Sequence, residues 1–145
     1  MSVEKFSAIF DGLKQAYGTY KVEKTQSNGK NTGKASILKE PRTPKLWKGH
    51  LSGKGTAVGI IPINEDNCCK WGCIDVDQYP LDHKVLIEKI RALKLPLVVC
   101  RSKSGGAHCF LFCKEWIEAK EMQKVLTHLS AALGYGGSEI FPKQV

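Results

Sequence analysis

From residue 69 onward, apolar periodicities alternate in an order that leaves few ways to fold. "CKWGCIDVD" (69–77) reads as a strand. Residues 82–94 read as a helix, with Asp82 as N-cap and Leu86, Ile87, Ile90 and Leu93 on one face. "PLVVCR" (96–101) is a second strand, a Ser-Gly-Gly turn follows, and 107–113 is a third. Residues 116–133 repeat Met122, Val125, Leu126, Leu129, Ala132 and Leu133 at helical spacing, and Gly134 is a natural stop. "SEIFP" (138–142) closes the series as a short strand. The order is β-α-β-β-α-β, a split βαβ. Its first and third strands belong at the centre of the sheet, antiparallel. The fourth flanks the first, also antiparallel, and the helices cover one face.

The preceding residues, 1–63, are expected to form a second α/β lobe. Phe6, Ile9, Phe10, Leu13 and Tyr17 fall at helical spacing with Gly18 as a stop. Residues 24–45, rich in Lys, Gly, Asn, Ser and Pro, read as a long loop. Trp47–Leu51 reads as a short turn of helix, and "TAVGIIPI" (56–63) as a buried strand. At 145 residues the whole, 1–145, is one core of two lobes, 1–63 and 64–145. The net charge is +8, and nine Lys/Arg against two Glu put +7 of it on residues 21–54. A concentrated cationic arm suits a polyanion, most simply nucleic acid, and Lys30, Lys34, Lys39, Arg42 and Lys45 are its candidate contacts.

Alternation along the strand 69–77 sends Ile74 and Val76 to one face and Asp75 and Asp77 to the other. The apolar pair must face the helices. The end of that strand then lies beside the start of the third, which holds His108, and of the fourth, which holds Glu139. Three carboxylates and a histidine converge, with "RSKSGGAH" (101–108) curling over them. Carboxylates so placed raise one another's pKa unless cations intervene, and oxygen-ligated divalent ions, Mg²⁺ or Mn²⁺, are the natural remedy. Two such ions suit phosphoryl or nucleotidyl transfer. Gly105 and Gly106 let backbone N–H groups approach phosphate, and Lys103 and His108 add donors. Lys143 joins the nucleotide-binding set by charge and position.

"WGCIDVDQY", "RSKSGGAHCFLF" and "SEIFPKQ", in this order, resemble the three catalytic motifs of the archaeo-eukaryotic primase superfamily, closest to the primase–polymerases of phages and mobile elements. "LWKGHLSGKGTAVGIIPI" is similar to that group's N-terminal region, so the resemblance spans about residues 44–144. It implies template-directed synthesis from NTP or dNTP on single-stranded or primed DNA, alongside a replicative helicase. By the same resemblance Asp75 and Asp77 match the paired metal-binding acids. His108 and Ser104 match the triphosphate motif, and Glu139 the third acid, where many relatives carry aspartate. Relatives continue past the third motif and this chain stops at Val145, so a core fragment, weakly active alone, is expected. The fold expected is α+β: an RRM-like (split βαβ) catalytic sheet with an N-terminal α/β lobe.

Two rivals use the same kind of sheet. A non-catalytic RRM-like nucleic-acid-binding module would stack bases on Phe110 and Phe112, yet three acids on that face repel phosphate. A metal-dependent replication-initiator nuclease needs a histidine pair, and the strand reads His108-Cys109-Phe110. "GKNTGKAS" and "GHLSGKGT" have three residues between their glycines, not the four of a phosphate loop, and lack Ser or Thr directly after the lysine. The six cysteines form no double CxxC; core packing is expected, with zinc on Cys68, Cys69 and Cys73 as the lesser alternative. No export signal or bilayer-length apolar run is present, which points to the cytoplasm and away from a membrane.

Overall fold

A computed structural model describes residues 2–25 and 31–144. It is an α+β structure of two compact units, Met1–Asn64 and Glu65–Val145. None of the described helices is long and apolar enough to cross a membrane.

In the first unit, α1 (Val3–Ile9) starts at Ser2, whose hydroxyl accepts from Lys5 N. The strands β1 (Tyr17–Thr25) and β2 (Asn31–Leu38) form an antiparallel hairpin, and β3 (Ala57–Gly59) pairs with the other edge of β1. Helix α2 (Pro44–Leu51) has Thr43 as N-cap and Pro44 in its first turn, where a missing N–H costs nothing. Its buried Trp47 packs edge-on to Phe6 at 5.7 Å between ring centroids.

Three expectations are corrected here. Residues 24–45 are not one loop, because β2 and the end of β1 occupy much of that span. The first helix stops at Phe10, and Tyr17 and Gly18 open β1. The strand expected over 56–63 is only three residues long, with Ala57 and Gly59 exposed, because it pairs with β1 only at Gly18–Tyr20 and lies at the sheet's edge.

The second unit contains β4 (Cys68–Val76), α3 (His83–Ala92), β5 (Val98–Arg101), β6 (Ala107–Glu118), α4 (Ala119–Leu133) and β7 (Glu139–Phe141). The sheet order is β5-β6-β4-β7 with every neighbouring pair antiparallel, the topology read from the sequence. Asp82 caps α3, its carboxylate accepting from Lys84 N and Val85 N at 2.9 and 3.1 Å. Ile74, Val76, Cys109, Leu86, Met122, Leu126 and Leu133 are buried between sheet and helices. Each large aliphatic side chain so buried contributes about 1.5–3 kcal/mol. Gly72 sets how closely α4 approaches, because a Cβ there would lie 2.6 Å from Leu126 Cδ1.

Candidate active site

Register places the acids. On β4, Asp75 is paired with His108 of β6 on one side and Glu139 of β7 on the other. Paired residues in an antiparallel sheet share a face, so all three project opposite to Ile74 and Val76. Asp77 lies just past the end of β4, exposed. Asp75, Asp77 and Glu139 line a polar cleft of about 390 Å³, whose other wall is Gly134–Ser138.

The charges in this cleft are unevenly compensated. His108 Nε2 lies 3.5 Å from Asp75 Oδ1, within ion-pair reach. Yet that oxygen is buried and accepts no hydrogen bond. Burial pushes the Asp75 carboxyl above its ordinary pKa, Asp77 and Glu139 push it further, and His108 and Lys143 oppose them. Glu139 is ion-paired with Lys143 four residues on, so Lys143 neutralises an acid in this structure. Lys103 is exposed on the neighbouring loop.

The Ser102–Gly106 loop is tied down on two sides. Ser102 N donates to Gly106 O at 2.9 Å, and Gly105 N donates to Ser102 O at 3.1 Å. Gly105 has φ +97°, a backbone conformation that favours glycine. A Cβ on Gly106 would sit 2.4 Å from Val76 O, so only glycine lets the loop lie on the end of β4. On one side His83, the first residue of α3, donates from Nε2 to Gly106 O at 2.9 Å. On the other, Tyr79 Oη donates to Asp77 Oδ1 at 2.9 Å and lies 2.7 Å from Ser104 Oγ. Neither Tyr79 nor His83 is evident from the sequence. The available signals were slight: a tyrosine two residues past an acid, and a histidine directly after an N-cap.

The basic candidates separate. Lys34, Lys39 and Lys45 are exposed, and Lys34 stands across the hairpin from Lys21. Arg42 is far less accessible: its side chain is 8% exposed and pairs with Asp11 at 3.3 Å. The same guanidinium donates to Gly12 O and Phe10 O, so it ties elements of the first unit together, and its remaining Nε is buried. Lys30 lies outside the described residues.

Among the described residues, no three His, Cys, Asp or Glu side chains already stand close enough to hold a metal ion. The donor set nonetheless fits hard divalent cations. It is all carboxylate around a polar cleft, and it includes a buried oxygen with no hydrogen bond and a carboxyl whose ionisation its neighbours oppose. The cysteines are free thiols. Burial raises Cys69 and Cys109 to about 11, and burial together with Asp75 raises Cys73 to about 12, so these three are protonated at neutral pH.

Fold and site together define an α+β, split-βαβ domain with an acid-and-histidine edge. The family model described as the archaeo-eukaryotic primase domain of the TOTE conflict system matches residues 3–140, and the chain belongs to that family. It is a family of the primase and polymerase type of nucleotidyl transfer. No curated protein matches the chain significantly.

Proposed function

We propose that the chain is a primase–polymerase catalytic core that joins nucleotides from NTP or dNTP to a strand on a DNA template. The observation that carries this reading is the register that sets Asp75 between His108 and Glu139, beside a glycine loop. Asp75, Asp77 and Glu139 would hold two Mg²⁺ or Mn²⁺ ions. When bound, such ions lower the pKa of the attacking 3′-hydroxyl and offset charge on the triphosphate.

The chain's own groups supply the rest. His108 and Lys103 donate to phosphate oxygens. The Gly105 and Gly106 backbone and the Ser104 hydroxyl position the triphosphate, and preorganised donors of this kind stabilise developing charge without reorganisation. Lys143 keeps Glu139 compensated. On the first unit, Lys34, Lys39 and Lys45 take up template phosphates. The like-charged Lys21–Lys34 pair, unfavourable in isolation, supports this because a polyanion would relieve it. Action in phage or mobile-element replication beside a helicase completes the reading.

The test is incorporation of labelled nucleotide on a primed DNA template, with Mg²⁺ or Mn²⁺ and with EDTA. Metal-dependent extension is expected, falling by at least about 10²-fold in Asp75→Ala. Near-normal extension by that variant removes Asp75 from the mechanism. Strand shortening would make the chain a nuclease, and DNA binding without extension a recognition module. His108→Ala should mainly raise KM for nucleotide, while metal binding in the absence of nucleotide holds.

A further inference from the structure

Tyr79 joins the acid edge to the glycine loop through hydroxyls whose donor order can be deduced. Tyr79 donates its single hydroxyl proton to Asp77 Oδ1 at 2.9 Å. The 2.7 Å contact between Tyr79 and Ser104 must then be donated by Ser104. Ser104 has no second proton, so its 3.3 Å contact with Ser102 is donated by Ser102. The chain therefore runs Ser102 to Ser104 to Tyr79 to Asp77. In this state Ser104 has no proton left to offer, although a phosphate oxygen requires a donor.

We infer that Tyr79 is a positioning residue that makes the Ser104 hydroxyl available to triphosphate only when a divalent cation shares the charge of Asp77. This rests on the polymerase reading above. A cation at Asp77 weakens it as an acceptor. The Tyr79 proton then turns to Ser104 Oγ, and the Ser104 proton is released toward phosphate. Only hydroxyl rotations are involved, and no covalent bond forms or breaks. Such a relay couples the two sites reciprocally, as any linkage must, and it works against binding of metal-free nucleotide.

The relay makes a specific claim about the penalty of Ser104→Ala. Binding of ATP and of dATP would be measured by calorimetry in Mg²⁺ and in EDTA, for wild type, Ser104→Ala, Tyr79→Phe and the double variant. In wild type the Ser104→Ala penalty should be about tenfold in Mg²⁺, the usual scale for a hydrogen bond to a charged group, and under about twofold in EDTA. In the Tyr79→Phe background Ser104 keeps its proton free in both conditions, so the penalty should be equal in both. Should EDTA abolish wild-type binding, Tyr79→Phe should still bind measurably. Tyr79 is 55% exposed and Ser104 is exposed, so both substitutions leave the core intact, which melting curves would verify. A Ser104→Ala penalty in wild type that ignores Mg²⁺, a penalty that still follows Mg²⁺ in Tyr79→Phe, or loss of binding in EDTA by both proteins overturns the relay. Wild type that binds neither nucleotide even in Mg²⁺ overturns the polymerase reading as well.

Discussion

Asp75 is pulled in opposite directions by folding and by the metal-binding role proposed for it. Its carboxyl is raised by burial and by Asp77 and Glu139, so the neutral form is the one the metal-free fold prefers. A group whose folded pKa lies above its unfolded value adds stability that is fully present below the unfolded pKa and is lost as pH rises through the folded one. Metal-free wild type should therefore lose stability relative to Asp75→Asn as pH rises from about 4 toward neutrality, the ordinary carboxylate range and above. At neutral pH the variant should melt a few degrees higher, and below pH 4 the two should converge. Added Mg²⁺ should raise the melting temperature of wild type and leave the variant nearly unchanged, because bound ligand stabilises only the form that binds it. Melting curves across pH, with and without Mg²⁺, decide this. If Asp75→Asn melts lower than wild type at pH 7 without metal, the carboxylate is a structural anchor and not a strained site.

Strand β4 ties the core to the cleft, because alternate residues serve opposite faces. Gly72 lies on the helix face, where a Cβ would meet Leu126 Cδ1 at 2.6 Å, Phe141 O at 2.7 Å and Met122 Cγ at 2.8 Å. One of those atoms belongs to the backbone of β7, the strand that holds Glu139 opposite Asp75. Gly72→Ala should thus destabilise by about 1–3 kcal/mol as overpacking does. It should also cost nucleotide incorporation at a temperature where the protein remains folded, since shifting β7 moves an acid. Urea titration paired with extension assays at low temperature tests both; full activity in the folded variant would show that β7 does not need its present register. The same strand shows why much of the architecture was legible in the sequence. Period-2 alternation in "CIDVD" and helical periods on either side define both the topology and which residues meet across strands. The β1–β2 hairpin escaped because its strands are largely polar, with three Lys, three Thr and two Gly, are exposed along much of their length, and lack an apolar alternation to announce them. Tyr17 is buried at 6%, but its place at the head of a strand mimics the next turn of α1. Tyr79 and His83 were missed because their roles depend on where a distant loop lands, and single-strand periodicity carries no information about that.

Across the whole molecule, the excess positive charge and the acid-and-histidine edge lie in different units. Residues 1–64 hold eleven Lys/Arg against four Asp/Glu, whereas residues 65–145 hold eleven against ten. If the first unit grips template phosphates, DNA affinity and nucleotide affinity should respond differently to salt. Each phosphate neutralised on duplex DNA contributes about 0.9 to the slope of log affinity against log salt, and about 0.7 on a single strand. Replacing Lys34, Lys39 and Lys45 together with Gln should flatten the duplex slope by about 2–3 and the single-strand slope by about 2. All three are exposed, so the fold should tolerate the change, unlike replacement of the buried Arg42. The KM for nucleotide at saturating template should stay within about twofold, because the donors assigned to triphosphate lie in the second unit. Fluorescence anisotropy with a labelled duplex and a labelled single strand, over a series of salt concentrations, gives the slopes directly. An unchanged slope would show that these lysines do not touch DNA. A slope that flattens together with a large rise in nucleotide KM would place them at the triphosphate, and the division of labour between the units would be wrong.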